Sequence, residues 1–326
     1  MKAGRKTPEL GADSIKGRER ASAPSVKGTV SAPHAHRYLV VDVFTEDPLE
    51  GNALAVFPEA SKIDDGLMQR IARELNLAET AFILPARRPD CAVGVRIFTP
   101  TREMVFAGHP TIGTAFVLLE EGIVPRQEEH FALEEKVGPV AIRVEWGERR
   151  RPLIWLRTPP LEQGRVYDRR VCAEALGLEL NDLMDIAPQL VSAGNPTIFI
   201  PVRDKATVDR AFIDSRGLRS ITDTDREPAC VFVFTPTGGG AYSRMFAPGY
   251  GIVEDPATGS STGPLAAFMM RHGLVSGAPG TRLISEQGTK MGRRSILYVH
   301  VMGQDGAEGI EVGGYVTPVA EATMSL

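Results

Sequence analysis

At 326 residues, with 43% hydrophobic and 24% charged side chains, the chain has the composition of a folded globular protein and a length that suits two domains better than one. A formal net charge of -4 and a pI near 5.9 supply no basic field for a phosphate backbone, and no Lys/Arg run alternates with stacking aromatics, which argues against nucleic acid as a partner. Cys91, Cys172 and Cys230 are odd in number and far apart, which suits a reducing cytoplasm rather than a disulfide framework or a metal site, and no apolar run reaches the roughly 20 residues of a membrane span or begins a signal peptide.

Residues 1–36 are basic, rich in Ser, Gly, Ala and Pro, and without a sustained period, so a disordered tail is expected there. Glu9, Asp13 and Glu19 argue against a transit peptide, and His34 with His36, lacking further ligands, make no metal site. Order is expected from Tyr38, where Y-L-V-V-D-V-F reads as a buried strand, followed by the turn D-P-L-E-G-N and a second strand over 53–57. Ile63, Leu67, Met68, Ile71, Ala72 and Leu75 recur at helical spacing, with Asp64 or Asp65 available as a cap and Asn76 at the end. Glu79 lies just after this helix, and 81–84 and 93–98 read as sheet strands.

Three signals then recur in the same order in the second half. G-N-A-L-A-V-F at 51–57 returns as G-N-P-T-I-F-I at 194–200, and R-I-F-T-P at 96–100 returns as R-M-F-A-P at 244–248. A glycine turn leading into an apolar helix, at 108–122, returns at 258–273. Two similar lobes related by an approximate two-fold axis are expected, with a cleft between them as the place for a small molecule.

A-G-H-P-T-I-G at 107–113 is read as entering a helix over 114–121, and E-D-P-A-T-G-S-S-T-G at 254–263 as entering one over 264–271. Each turn leaves backbone N–H groups unpaired at a positive helix end, where a carboxylate or an enolate-like charge is favoured. Either turn alone is equally read as an ordinary helix start, with Pro110 and Pro264 suited to a first turn; their repetition favours the anion site. Glu79 is read either as a solvated helix-end glutamate or, among Leu77, Ala78, Ala81 and Phe82, as a partly desolvated acid/base of raised pKa. His109 and Asp255 ride on the two turns, whereas His130, His272 and His300 have no such setting. Neither turn carries a thiol, which excludes a two-cysteine racemase, and no dinucleotide loop, Walker motif or metal cluster calls for a cofactor.

The segments L-E-G-N-A-L-A-V-F, Q-R-I-A-R-E-L-N-L-A-E-T-A-F, R-I-F-T-P-T-R-E-M-V-F-A-G-H-P-T-I-G-T-A, R-M-F-A-P-G-Y-G-I-V-E-D-P-A-T-G-S-S-T-G-P-L-A and E-Q-G-T-K-M-G-R resemble the PhzF family of phenazine biosynthesis from about Tyr38 onward. The resemblance implies an α+β fold of two diaminopimelate epimerase-like lobes, each a sheet wrapped around a central helix, over 37–157 with 313–326 and over 158–312. It also implies a homodimer without cofactor or metal. Its implied chemistry is isomerisation of a small carboxylate such as trans-2,3-dihydro-3-hydroxyanthranilate. Glu79 matches the family's proton-transferring glutamate, and Gly108, His109, Asp255 and Ser260 match its substrate-binding positions. One departure is Ala78, which precedes Glu79 where the phenazine enzyme carries Ser. A one-base epimerase of another small acid and a non-catalytic binding relative remain the alternatives.

Overall fold

Strand Ala35–Val43 is the first described element and begins three residues earlier than Tyr38, so Ala35 and His36 belong to the sheet rather than to a tail ending at 36. Local sequence could not show this, because what orders A-H-R is an antiparallel ladder with the far C-terminal strand Val316–Ser325, in which Ala35 faces Ser325 and His36 faces Met324. The computed structural model describes Met1 and residues 34–222, 229–303 and 309–326; the remainder of the basic stretch lies outside the described residues.

Six helices are described, α1 Asp65–Leu75, α2 Gly108–Glu120, α3 Arg169–Ala175, α4 Lys205–Arg210, α5 Ser215–Thr222 and α6 Gly259–Arg271, against 18 strands joined in one hydrogen-bonded network. The fold is α+β. Helix α1 follows from its sequence: the Asp64 side chain accepts the Leu67 N–H at 2.9 Å, and Asn76 ends the helix in the left-handed region at φ 51°. Its apolar face, Met68, Ile71 and Ala72, packs beside Phe57, Phe82 and Phe98. Burying each such side chain is worth roughly 1.5–3 kcal/mol.

The internal repeat seen in the sequence is a repeat of strand pairing. Asn52–Phe57 runs parallel to Glu79–Leu84, which pairs antiparallel with Val93–Phe98, itself parallel to His130–Glu135. Thr197–Pro201 runs parallel to Cys230–Thr237, which pairs antiparallel with Gly240–Ala247, itself parallel to Arg282–Gln287. Arg96 forks onto Glu103 in the first set and Arg244 onto Glu254 in the second, so the matched arginines do matched work.

Helices α2 and α6 sit within these two sets, each 13 residues long and buried on nearly every side. Ile112, Ala115, Phe116 and Leu119 pack with Val41, Leu54, Ala81 and Ile97, while Leu265, Phe268 and Met269 pack with Phe199, Phe232 and Phe234. Both helices start earlier than their sequence pattern indicates, at Gly108 rather than near Thr114 and at Gly259 rather than near Pro264. Gly, Ser and Thr are weak helix formers, and here burial against the sheet overrides propensity. Pro110 does lie in a first turn, but Pro264 lies inside α6, where its missing N–H leaves the Ser260 carbonyl without its usual helical donor.

Candidate active site

The starts of α2 and α6 meet head to head. A Cβ added at Gly108 would lie 2.6 Å from the Ser260 nitrogen and 2.7 Å from the Gly259 carbonyl carbon, and one at Gly259 would lie 2.9 Å from the Phe44 ring. Only glycine permits this approach, which brings the unpaired N–H groups of two first helical turns to one place. Gly108→Ala is therefore expected to destabilise the fold by about 1–3 kcal/mol in urea denaturation, because backbone rather than a flexible side chain must yield. Gly66→Ala, whose new Cβ would touch only Asp64 Oδ1 at 3.4 Å, is expected to be neutral or stabilising in the same assay.

Beside this junction lies a cavity of about 50 Å³ lined by Glu79, Gly108, His109, Asp255 and Ser260, so all five residues singled out in the sequence converge on it. Asn52, at the start of its strand, ties three of the walls together. Its amide nitrogen donates to Asp255 Oδ1 at 2.8 Å and to the Ala257 carbonyl at 3.0 Å, and it lies 3.2 Å from His109 Nδ1. The amide's two protons are shared among these three acceptors, and because an amide nitrogen cannot accept, a proton on His109 Nδ1 would face N–H; the ring proton is therefore assigned to Nε2. Burial holds the imidazole pKa down to about 3, so His109 is neutral and acts as a donor rather than as a cation.

Glu79 begins strand Glu79–Leu84 instead of trailing α1, and it is only 9% exposed. Burial, and secondarily the Asp255 charge, raise its pKa well above the ordinary carboxylate value. Its Oε2 lies 3.3 Å from His109 Nε2 without hydrogen-bond alignment, and neither atom has another hydrogen-bond partner. A neutral donor and a carboxyl of raised pKa thus sit in the cavity wall with unspent hydrogen-bonding capacity. Asp255 is pushed up to about 6 by burial, opposed by hydrogen bonds from Thr258 and Asn52. Gln287 fixes this segment, donating to the Asp255 carbonyl at 2.7 Å and accepting the Thr258 N–H at 3.1 Å.

The second half adds residues that the sequence reading passed over. Asn195 donates to Ser260 Oγ at 3.1 Å and to the Phe106 carbonyl at 3.2 Å, a counterpart of Asn52; the paired G-N turns were the signal that could have found both. Although neither glycine turn carries a thiol, Cys230 lines the cavity from the start of its own strand. Tyr250 lines it as well, and the Arg102 guanidinium stacks over that ring at 4.2 Å.

A family model described as phenazine biosynthesis-like protein matches residues 41–322. The chain is 33% identical over 297 residues to trans-2,3-dihydro-3-hydroxyanthranilate isomerase of Pseudomonas chlororaphis, covering 89% of this chain and 100% of that protein. Among solved structures, a PhzF-family phenazine biosynthesis protein of Bacillus anthracis superposes with a TM-score of 0.81 at 26% identity, covering 90% of this chain and 100% of that one. A predicted epimerase from Pseudomonas aeruginosa gives 0.74 at 34% identity, covering 89% and 99%.

Proposed function

The chain belongs to the PhzC-PhzF family of phenazine biosynthesis-like proteins, and from that premise we propose that it is a cofactor-independent isomerase in which Glu79 moves a proton on a small cyclic amino or hydroxy carboxylate such as trans-2,3-dihydro-3-hydroxyanthranilate. One observation carries this reading: Glu79, which lines the cavity beside the meeting helix ends, is a buried carboxyl of raised pKa with one oxygen left unpartnered. A raised pKa suits a group that must accept a proton from carbon, since it makes the carboxylate a stronger base than an ordinary surface glutamate. The first-turn N–H groups around Gly108 and Ser260 offer a place for the substrate carboxylate or for negative charge developing on removal of the proton. His109 and Asp255 orient the substrate, and Ser260 completes the wall.

Three further parts of the reading rest on the family. The lobes are 35–157 with 313–326 and 158–312, the first beginning with its opening strand, and the protein works as a homodimer in the cytoplasm. All three cysteines are buried and unpaired, which fits a reducing setting. No described helix is long and apolar enough to cross a membrane. Ala78 favours a second reading, isomerisation or epimerisation of a related small acid, because it lacks the hydroxyl carried at that place by the phenazine enzyme.

Washing solvent deuterium into trans-2,3-dihydro-3-hydroxyanthranilate tests the function directly: an isomerase incorporates the label, whereas a binding protein leaves the substrate unlabelled. Asp255→Asn and His109→Ala are each expected to reduce kcat/KM by about 1.5–3 kcal/mol of transition-state stabilisation, as loss of one charge-linked hydrogen bond would. Because the Asp255 charge helps to hold the Glu79 pKa up, Asp255→Asn should also move the acid limb of the pH profile to lower pH. Unchanged kinetics in both variants would remove these residues from the site.

A further inference from the structure

The segment E-Q-G-T-K-M-G-R, 286–293, supplies none of the residues lining the cavity, yet both of its ends hold backbone that shapes it. Near its start the buried Gln287 side chain donates to the Asp255 carbonyl and accepts the Thr258 N–H. At its end the Arg293 guanidinium donates to the Gly51 and Glu50 carbonyls, each at 2.9 Å, and to Asp42 Oδ1 at 2.7 Å. Between these ends the chain closes on itself, because the Arg293 N–H donates to the Gly288 carbonyl at 3.1 Å around the short turn Thr289–Met291. Gly288 stands at φ 74°, and a Cβ there would lie 2.6 Å from the Pro256 carbonyl oxygen. The loop is thus pressed against the segment that carries Asp255.

The turn that Arg293 holds is not one its own residues favour. Leu49 and Gly51 are both left-handed, at φ 70° and 66°, which costs a residue such as Leu49 roughly 1–2 kcal/mol. Asp42, only 2% exposed, offsets this by accepting the Leu49 N–H at 2.6 Å, and the Arg294 carbonyl accepts the Gly51 N–H at 3.0 Å. The next residue is Asn52, whose amide reaches Asp255, Ala257 and His109. One bracket therefore holds Asn52 from one end and Asp255, which accepts from it, from the other.

We infer that Arg293 is a positioning residue for the proton transfer, acting through Asn52. The Asn52 amide has two protons for three acceptors, so a small displacement of the turn decides whether an N–H still faces His109 Nδ1. With that N–H in place, the imidazole keeps its proton on Nε2, 3.3 Å from Glu79 Oε2. Arginine suits the task because its planar fork meets two carbonyls and a carboxylate at once, in one fixed geometry.

This inference rests on Glu79 as the base, and the test separates the two. The kcat/KM for trans-2,3-dihydro-3-hydroxyanthranilate and the imidazole nitrogen NMR shifts of histidine-labelled protein at neutral pH are measured in the full chain. The proteins compared are wild type, Arg293→Lys, Asn52→Ala and the double variant, with His109→Ala to assign the His109 signals. Lys keeps a cation for Asp42 but not the fork onto the two carbonyls. Arg293→Lys, like Asn52→Ala, is therefore expected to lower kcat/KM by about 10- to 100-fold, as misplacement near the reacting groups does, and to turn one Nε2–H tautomer of His109 into a mixture. The double variant is expected to lie within about threefold of Asn52→Ala, since both changes remove the same placement. Asp42→Asn, which keeps an acceptor for the Leu49 N–H and gives up the charge that seats Arg293, replaces Arg293→Lys if that variant does not fold. Losses that multiply in the double variant, an unchanged His109 tautomer in Arg293→Lys, or a kcat/KM within threefold of wild type overturn the inference. Absence of deuterium wash-in by wild type strikes the Glu79 reading alone, because the tautomer is read without substrate.

Discussion

Glu79→Gln is expected to lower kcat by about 10²- to 10⁴-fold, the usual worth of general acid/base catalysis, and to abolish solvent-deuterium exchange into the substrate. Gln keeps the shape of Glu, and its amide oxygen can face the His109 Nε2 proton across the same 3.3 Å gap. An amide, however, cannot take a proton from carbon near neutral pH. The fold should survive, because the exchange removes a buried acid whose ionised form is penalised by its surroundings. Affinity for the aromatic analogue 3-hydroxyanthranilate, measured by calorimetry, should therefore change far less than kcat. Exchange at the wild-type rate would reduce Glu79 to a wall residue and move the acid/base role elsewhere.

How much of this was legible depended on whether the cause was local. Helix α1 was readable because its cap Asp64, its apolar stripe and its stop Asn76 all lie within a dozen residues. The true starts of α2 and α6 were not, since both helices are buried all round and carry no polar face to set a period; only the tertiary setting turns Gly-His-Pro and Gly-Ser-Ser into helix. His109 and Asp255 could be drawn to one cleft from the repeated glycine turns, whereas Glu79, Gly108 and Ser260 joined them through the resemblance to the PhzF family. Asn52 and Asn195 were written in both copies of the repeat but sit in turns that read as ordinary punctuation. That Glu79 and Cys230 begin matching strands, Glu79 facing Leu54 and Cys230 facing Thr197, needs strand register, which is fixed by pairing between distant segments and has no signature in either neighbourhood.

Glu135 carries the second large effect, and it acts on stability rather than on turnover. It ends strand His130–Glu135, buried, with Oε1 2.5 Å from Thr111 Oγ1 and no partner for Oε2. Thr111 Oγ1 also lies 2.8 Å from the Ala107 carbonyl, and one hydroxyl proton cannot serve both oxygens. A protonated Glu135 resolves the conflict: its O–H donates to Thr111, and Thr111 donates to Ala107, the residue before Gly108 and His109. Burial supports that state by pushing the Glu135 pKa up to about 8, opposed by the Thr111 bond. Since the folded pKa is raised, the stabilisation is fully present below the ordinary value of 4.5 and is lost as pH rises through about 8. At roughly 1.4 kcal/mol per pKa unit, the loss is at most roughly 5 kcal/mol. Glu79 and Asp255, also raised by burial, contribute a slope of the same sign. Gln at position 135 can donate to Thr111 at every pH and never charges. Glu135→Gln is thus expected to match wild type in urea denaturation at pH 5 and to exceed its stability by several kcal/mol at pH 9. Identical pH slopes in the two proteins would mean that Glu135 is ionised in the folded state and that the start of α2 is held without its proton.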